Sequence, residues 1–383
     1  TNLNAYVAHA PMEPHAAVAS MEHGRMTVSA STQSPYGLRQ ELMSVLGLPE
    51  DKVLVITPFV GGGFGGKGSS SQGVQAARLA RSVGLPVQVF WTREDEFFWD
   101  TYRPAAIVKI RSGLQADGAP AFWDYRVYYA GARGSEQPYA IPHHRTVAHS
   151  RGWSGPPGSH PFATGAWRAP AANTNAFARE QHIDIMARGA GADPLAFRLQ
   201  HCTQPKFLGV LKAAAKQFGW KPGPGSGGRG VGVACGIDAD TVVATMAEVE
   251  VDRASGRVSV KRVVCAQDMG QVVNPAGATI QVEGCITMGL GYALTEEQHF
   301  RGGEILDLNF DRYELPRFSG LPRIETVLID SQDPEPHGGG EPAIITMGAV
   351  IANAIFDAVG ARLFELPMTP TRVKAALDKL GGE

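Results

Sequence analysis

The sequence predicts an α+β fold of two mixed α/β lobes, and two features support this prediction. Short runs of β-branched residues alternate with helical patterns along the chain. Glycine and proline are abundant, at 46 and 26 of 383 residues, which favours strands and tight turns over a helical bundle. A chain of this length exceeds one ordinary core, and the stretch 222–230 is its strongest linker signal. We therefore expect one lobe over residues 1–221 and a second over residues 222–383.

In the first lobe, strands are predicted from period-two alternation and helices from apolar residues three and four positions apart. In order, the expected elements are short strands within 5–33, a helix over 35–46, strands over 52–59 and 87–91, with a helix over 72–83 between them, strands over 107–112 and 121–129, a helix over 175–189 and two helical segments within 193–219. The segment 92–96 is predicted to be a charged turn. Residues 131–162 are predicted to be irregular, and a loop that long usually has a function or contacts a partner.

The second lobe is predicted to open with a three-stranded meander. In order, its expected elements are strands over 230–236, 241–252 and 257–268, a glycine-rich helix over 279–295, strands over 305–313 and 324–331, and a well-packed helix over 343–364. Ser255 and Gly256 form a typical hairpin turn. The strands over 241–268 and the segment 131–162 are expected to expose surfaces that another chain covers.

The composition excludes several classes of partner. A formal net charge of −2 gives no electrostatic reason to expect nucleic acid or an anionic membrane. No apolar run approaches the roughly 18 residues that span a bilayer, and the start lacks a signal-peptide pattern. The chain begins with Thr1 instead of Met, so we expect that something upstream was removed or left out. A soluble protein of the cytoplasm or of the periplasm fits these features.

Side-chain metal sites are weakly indicated. Four widely spaced cysteines without a C-x-x-C pair exclude a zinc ribbon or an iron–sulfur cluster held by this chain alone, and buried thiols are the expectation for Cys202, Cys235, Cys265 and Cys285. His9 and His15 lie six residues apart in a proline-containing loop. A metal held by these two histidines is a minor alternative to a structural role.

The glycine loop 61–67, with the sequence GGGFGGK, lies between a predicted strand and a predicted helix. That arrangement commonly cradles a phosphate with backbone N–H groups. The loop also matches the G-x-x-x-x-G-K pattern of a nucleotide triphosphatase, but Gly68 stands where that pattern needs Ser or Thr. A nucleotide triphosphatase is therefore a distant alternative.

Glu341 is the principal candidate for a catalytic carboxylate. It follows three glycines and precedes Pro342, a residue suited to the first turn of a helix. Glycines lack a Cβ atom and allow close approach to a bulky ligand. The alternative is a solvated Glu in a surface turn.

Several motifs occur together in one order: GGGFGGK at 61–67, GAWRAP at 165–170, AQDMGQVVNP at 266–275, QVEG at 281–284 and GGEP at 339–342, followed by ANAIFDA at 352–358 and LPMTP at 366–370. This combination resembles the molybdenum-binding large subunit of the xanthine oxidase family of molybdenum hydroxylases. The resemblance covers essentially the whole chain. It is strongest to the isoquinoline, nicotinate and aldehyde dehydrogenase branch.

The resemblance implies a molybdenum–pterin cytosine dinucleotide, with oxo, hydroxo and sulfido ligands on the metal. The pterin dithiolene would hold the molybdenum, so no side chain is expected to ligate it directly. Glu341 would be the general base of an oxidation that takes its oxygen from water. The positions that would surround the cofactor are Gly63, Phe64, Gly65, Ala166, Arg168, Gln281, Gly339 and Gly340.

Two departures from the family pattern narrow the expected function. The purine-oxidising branch has a substrate-binding glutamate where this chain has Gly68, so an aldehyde or N-heteroaromatic substrate is favoured. The family's G-Q-G segment and a nearby pterin-binding stretch are absent. The chain therefore resembles the C-terminal portion of a longer or split large subunit, in which a second chain or an upstream fragment completes the molybdenum site.

Electrons would leave through a partner subunit with two-iron clusters, because nothing in this chain can carry them. A flavin or cytochrome c subunit is a further option in the same assembly. The alternative function is a non-catalytic scaffold subunit that keeps the fold without a complete site.

Overall fold

The structure, a computed structural model, describes residues 1–150, 152–154 and 158–381. The α-helices among these residues are α1 (Pro35–Leu46), α2 (Ser71–Val83), α3 (Arg93–Trp99), α4 (Ala172–Gly189), α5 (Pro194–His201), α6 (Pro205–Phe218), α7 (Pro275–Leu294), α8 (Met347–Val359) and α9 (Pro370–Gly381). The strands are β1 (Asn2–Asn4), β2 (Val7–Ala8), β3 (Ala16–Glu22), β4 (Arg25–Ala30), β5 (Val53–Ile56), β6 (Val87–Phe90), β7 (Tyr102–Arg103), β8 (Ala106–Leu114), β9 (Pro120–Tyr128), β10 (His143–Ala148), β11 (Arg229–Asp238), β12 (Thr241–Val251), β13 (Val258–Asp268), β14 (Phe300–Arg301), β15 (Glu304–Ile305), β16 (Arg323–Leu328) and β17 (Glu365–Leu366). The predicted α+β class is confirmed.

The N-terminal sheet has the strand order β5-β4-β3-β6, and helices α1 and α2 pack on it. The predicted bounds of α1 are confirmed, and Leu38, Leu42 and Leu46 face the sheet. The side chain of Val45, near the end of the same helix, is half exposed. At 100° per residue it lies about 20° beyond Leu38, on the side away from Leu42 and Leu46, and therefore at the edge of the apolar stripe.

One prediction around residues 87–99 is wrong. The predicted strand is present as β6, which pairs with β3 at an edge of the sheet and alternates between half-buried and exposed positions. The expected charged turn over 92–96, however, is the beginning of α3. Thr92 caps that helix reciprocally with Asp95, and the acidic residues of its first turn suit a helix N-terminus.

The central sheet has the order β10-β9-β8-β1-β17 and joins the two ends of the chain. The strands predicted over 107–112 and 121–129 are confirmed as β8 and β9, which pair as an antiparallel hairpin, and β10 lies parallel to β9. Strand β10 shows that part of the segment 131–162 is regular. Arg151 and residues 155–157 of that segment lie outside the described residues.

The third sheet, with the order β11-β12-β13-β16, confirms the predicted meander. Helix α8 packs on β11 and β12, and helix α6 packs on β12 and β13. The strands over 241–268 are therefore paired and covered within the chain, and the expectation that they expose an unpartnered surface is wrong. Period-two alternation alone does not indicate whether a helix covers the second face of a strand.

Two predictions near the C-terminus are also wrong. The strand expected over 305–313 is only the two-residue β15 followed by turns. The helix expected over 343–364 is a short 3₁₀ turn, Pro342–Ile344, followed by α8, which ends where Gly360 adopts a left-handed conformation. Glu341 therefore stands before a single 3₁₀ turn and not at the N-terminus of an α-helix.

The segment Pro342–Val359 has the length and apolar composition of a membrane-spanning helix, with a mean hydropathy of 1.7, although no such run was expected. Inside the protein 94% of it is buried, so it serves as a core segment. It lies in a hydrophobic cluster that also contains Trp167 and Phe177 from the first half. A second cluster likewise joins Trp123 to Met246. The division at 221 and 222 stays a prediction.

Candidate active site

The glycine loop 61–67 approaches the loop 165–170 so closely that a side chain would not fit. Gly65 has a φ of +119°, and a Cβ atom there would lie 1.8 Å from the carbonyl oxygen of Ala166. The backbone N–H of Arg168 donates to the carbonyl of Phe64 at 2.9 Å. Sequence reasoning expected Gly65 to make room for a ligand, whereas the glycine is required by the neighbouring backbone. Phe64, also at positive φ, lies partly exposed beside it.

Lys67 is unavailable to a phosphate. Its side chain is fully buried, and Nζ lies 2.7 Å from Oε2 of Glu13, which also accepts the backbone N–H of Gly61 at 2.7 Å. The ion pair of Lys67 with Glu13 thus links the glycine loop to the segment between β2 and β3. The nucleotide triphosphatase alternative is therefore wrong, because its lysine must reach a nucleotide.

Arg168 joins three of the sequence motifs. Its Nε and Nη2 donate to the carbonyl of Gly340 at 3.0 and 2.6 Å, and Nη2 also donates to Oε1 of Gln281 at 2.9 Å. Its side chain is largely buried, whereas Gln281 is exposed on α7. The structure therefore brings Phe64, Arg168, Gln281 and Gly340 together at one place.

Glu341 lies beside an arginine that sequence reasoning missed. Nη2 of Arg133 lies 3.1 Å from Oε2 of Glu341, and the Glu341 side chain is 40% exposed. The same guanidinium forms a bidentate pair with Asp238, at 2.6 and 2.7 Å. Arg133 lies 208 positions from Glu341 in a segment without a motif, so no local pattern could have identified it.

The charges around Arg133 are coupled. Burial raises the pKa of the Asp238 carboxyl, while the facing guanidinium opposes this change. Burial lowers the pKa of Arg133, but hydrogen bonds and charge from Asp238 and Glu341 outweigh it and raise the pKa above its usual value. Arg133 is therefore a permanent cation held at a fixed position beside Glu341.

The remaining glycines of the predicted site have different neighbours. A Cβ atom on Gly63 would lie 2.5 Å from Oε1 of Gln33, and one on Gly339 would lie 2.4 Å from Cε of Met269. A Cβ atom on Gly340 would meet only Oε1 of Gln281, at 3.6 Å. Gly63 and Gly339 thus allow tight internal packing, whereas Gly340 borders open space.

The four cysteines lie in the interior of the protein, as predicted. All four are buried free thiols. Sγ of Cys285 lies 3.3 and 3.4 Å from the carbonyl oxygens of Gly340 and Glu341, and burial raises the pKa of this thiol to about 11. The neutral thiol of Cys285 is therefore placed to donate a hydrogen bond to the backbone carbonyls on either side of the Gly340–Glu341 peptide.

The minor alternative of a metal held by His9 and His15 is not supported. Each imidazole pairs with a buried carboxylate, Asp100 for His9 and Glu96 for His15. Within residues 1–150, 152–154 and 158–381, no three His, Cys, Asp or Glu side chains cluster as a metal site would need.

The open side of this site can accommodate a large group. A cavity of about 470 Å³ is lined by Phe64, Arg168, Gly284, Met288 and Glu296. A Cβ atom on Gly284 would meet only the Arg168 guanidinium, at 3.7 Å or more. The glycines in this lining leave room for a bulky group to approach the backbone closely.

The fold and this glycine-walled face are those of a cofactor-binding domain. The chain belongs to the molybdopterin cofactor-binding domain family, whose two domain models match residues 3–202 and 214–322. The resemblance drawn from the motifs is thereby confirmed.

Curated relatives include components of bacterial oxidoreductases. The chain is 32% identical to a nicotinate dehydrogenase subunit of Pseudomonas putida, over 99% of this chain and 34% of the relative. It is 31% identical to the beta subunit of isoquinoline 1-oxidoreductase of Brevundimonas diminuta, over 95% of this chain and 49% of the relative. The chain thus spans between a third and a half of the length of these relatives.

Solved structures share the fold. Quinoline 2-oxidoreductase from Pseudomonas putida 86 aligns with a TM-score of 0.83 at 16% identity, over 99% of this chain and 76% of that one. Aldehyde oxidoreductase from Desulfovibrio gigas aligns with a TM-score of 0.84 at 16% identity, over 98% and 60%.

Proposed function

We propose that this chain is the molybdenum-cofactor-binding part of a molybdenum hydroxylase that oxidises an aldehyde or an N-heteroaromatic compound, with water as the oxygen source. The observation that carries the proposal is the bridge of Arg168 to Gly340 and Gln281. That bridge joins the loop 165–170, helix α7 and the segment that leads into Glu341, which supports a shared site for these motifs. The names of the two curated relatives support a heteroaromatic substrate.

Each side chain has a distinct role in this proposal. Phe64, Gln281 and the backbone of Gly340 would hold the pterin, and Arg168 would fix their spacing. When bound, the molybdenum–pterin group supplies a centre that accepts two electrons from the substrate. Glu341 accepts a proton at its carboxylate, as a general base within reach of the reacting group must do.

Arg133 is proposed as the residue that orients this base. A bidentate pair with Asp238 fixes the guanidinium, and its remaining contact with Oε2 of Glu341 limits rotation of the carboxylate.

We further propose the cytosine dinucleotide form of the cofactor and a heteromeric assembly. The site is open on this chain, with Gln281 exposed and Glu341 partly exposed, which supports closure by a second chain or an upstream fragment. Such an interface is expected to exceed about 2,000 Å², as in obligate complexes. A two-iron iron–sulfur subunit, with or without a flavin or cytochrome c subunit, would remove the electrons.

Metal and nucleotide analysis of the purified assembly tests the proposal. We expect about one molybdenum per chain, cytidine monophosphate after acid hydrolysis, and ¹⁸O from labelled water in the oxidised product. A panel of pyridine carboxylates, quinolines and aromatic aldehydes identifies the substrate class. An assembly without molybdenum supports the non-catalytic scaffold instead.

A further inference from the structure

His9 lies directly beneath the junction of the glycine loop and the loop 165–170. Its side chain is fully buried. Nε2 lies 2.7 Å from the carbonyl oxygen of Ala166, and Nδ1 lies 2.9 Å from Oδ2 of Asp100. A Cβ atom on Gly65 would come within 3.1 Å of the same Nε2. The imidazole ring of His9 therefore bonds to the loop 165–170 and lies next to the glycine loop.

The partners of His9 determine which of its ring nitrogens carry protons. A carbonyl oxygen only accepts hydrogen bonds, so Nε2 must donate to Ala166. Nδ1 faces a carboxylate, whose other oxygen already accepts the backbone N–H of Thr101 at 2.7 Å. Both nitrogens are thus placed as donors. Burial opposes the positive charge of His9, but Asp100 and the Ala166 carbonyl outweigh it and raise the pKa of His9.

Asp100 supports the glycine loop from the same side. A Cβ atom on Gly66 would lie 2.3 Å from Oδ2 of Asp100. The His9–Asp100 pair therefore packs closely against Gly65, Gly66 and the carbonyl group of Ala166. The neighbouring residues Phe64 and Arg168 are joined by a backbone hydrogen bond of 2.9 Å.

We propose that His9, paired with Asp100, is a positioning residue that fixes the spacing of the two cofactor-facing loops. This inference rests on the proposed function for its link to the cofactor, but its geometric part concerns the chain alone. By holding the Ala166 carbonyl, His9 keeps Arg168 within reach of Gly340 and keeps Phe64 against the open face. The role resembles that of outer partners that orient the groups around a metal centre.

His15 provides a matched control. It lies six residues further along, is buried, and pairs with a buried carboxylate, Glu96, at 2.9 Å. Its ring packs against Trp91 at a tilt of 35°, with ring centroids 4.4 Å apart. Among the described residues, its side-chain hydrogen bonds reach neither the glycine loop nor the loop 165–170. A purely structural buried histidine should behave like His15.

The test compares His9→Asn and His9→Gln with His15→Asn and His15→Gln in the complete purified assembly. Two quantities are measured: molybdenum per chain after extended dialysis, and amide hydrogen exchange by mass spectrometry on peptides covering 61–68 and 163–170. For His9→Asn we expect about a ten-fold loss of retained molybdenum, as for an outer partner of a metal site, and faster exchange in both peptides. His9→Gln should recover part of both, because its longer amide can still donate to Ala166. Both His15 variants should match the wild type.

Equal exchange and equal molybdenum in His9→Asn and the wild type would overturn the proposal while leaving the proposed function intact. If the wild-type assembly contains no molybdenum, the proposed function fails and the exchange measurement alone decides the role of His9. If His9→Asn does not fold, His9→Gln against His15→Gln decides, and identical values would overturn the proposal.

Discussion

The guanidinium of Arg168 donates to the carbonyl oxygen of Gly340 at 2.6 Å, although the two residues lie 172 positions apart. This bond connects the loop before α4 to the loop before Glu341. Since Arg168 also binds the side chain of Gln281, one buried cation sets the relative positions of three segments. The proposed function depends on this arrangement more than on any single motif.

Replacing Arg168 with lysine should lower cofactor retention. An ammonium can donate to Gly340, but it lacks the fork that reaches Gly340 and Gln281 together. We expect about a ten-fold lower molybdenum retention after dialysis, with molybdenum analysis as the measurement. Arg126→Lys, at a partly exposed pair with Asp124, is the control and should retain wild-type molybdenum. Unchanged retention in Arg168→Lys would remove Arg168 from the cofactor site.

Replacing Arg133 with glutamine should lower the turnover of the assembly. Nη2 of Arg133 lies 3.1 Å from Oε2 of Glu341, and without this contact the carboxylate of the proposed base can rotate away from the reacting group. We expect kcat to fall by roughly ten-fold while molybdenum per chain stays at the wild-type value, and Arg133→Lys, which keeps a donor beside the carboxylate, should lose less. Identical kcat values for all three proteins would show that Arg133 does not act on the base.

Gly65→Ala should destabilise the protein as well as the site. The position combines positive φ with a backbone carbonyl 1.8 Å from the added Cβ atom. We expect a loss of roughly 2 kcal/mol or more, measured as a lower apparent Tm. Gly68→Ala is the matched control, because nothing lies within 4 Å of its Cβ position and its φ is not positive. A wild-type Tm for Gly65→Ala would contradict the observed contact between the loops.

Glu296→Gln should abolish one component of the pH dependence of stability. Burial raises the pKa of Glu296 to about 8 from 4.5, so in this range the folded protein holds a proton that the unfolded chain has lost. Stability is therefore fully present below about pH 4.5 and declines as the pH rises toward 8. The glutamine is neutral and can still accept the Tyr313 hydroxyl, whose oxygen lies 3.1 Å from the carboxylate.

The measurement is the apparent Tm of wild type and variant at about pH 5 and pH 8, on either side of most of this transition. Between pH 5 and pH 8, the Tm of the wild type should fall further than the Tm of Glu296→Gln, by an amount on the order of this one titration. Glu304→Gln, at an exposed position, should follow the wild type. Parallel Tm changes in wild type and Glu296→Gln would show that Glu296 does not hold a proton in the folded protein.

The sequence was sufficient for the parts of the site that local patterns encode. Glycine clusters and the arginine of GAWRAP mark loops whose backbone must pack closely, and the structure brings these loops together. Helix α1 was predictable because its apolar residues keep one period between a proline start and a glycine end. Helix α3 was not predicted because a run of charged residues is also typical of a surface turn, although Thr92 and Asp95 form a capping box.

Contacts between distant segments could not be predicted in this way. Arg133 meets Glu341 only because the third sheet presents Asp238 to its guanidinium. The role of His9 likewise depends on Asp100 and Ala166, which are 91 and 157 positions away. Such pairings follow from the order of the strands in the sheets, and no short stretch of sequence indicates them.

The kinetics of Glu341→Gln in the molybdenum-loaded assembly test the central claim most directly. Glutamine keeps the size of the side chain and removes the proton acceptor, so kcat should fall by about 10²-fold or more while molybdenum per chain and Tm stay at wild-type values. Glu335→Gln, at an exposed position of the same connecting segment, should retain wild-type turnover. A Glu341→Gln assembly that keeps its molybdenum and more than about a tenth of wild-type kcat would contradict the assignment of Glu341 as the base.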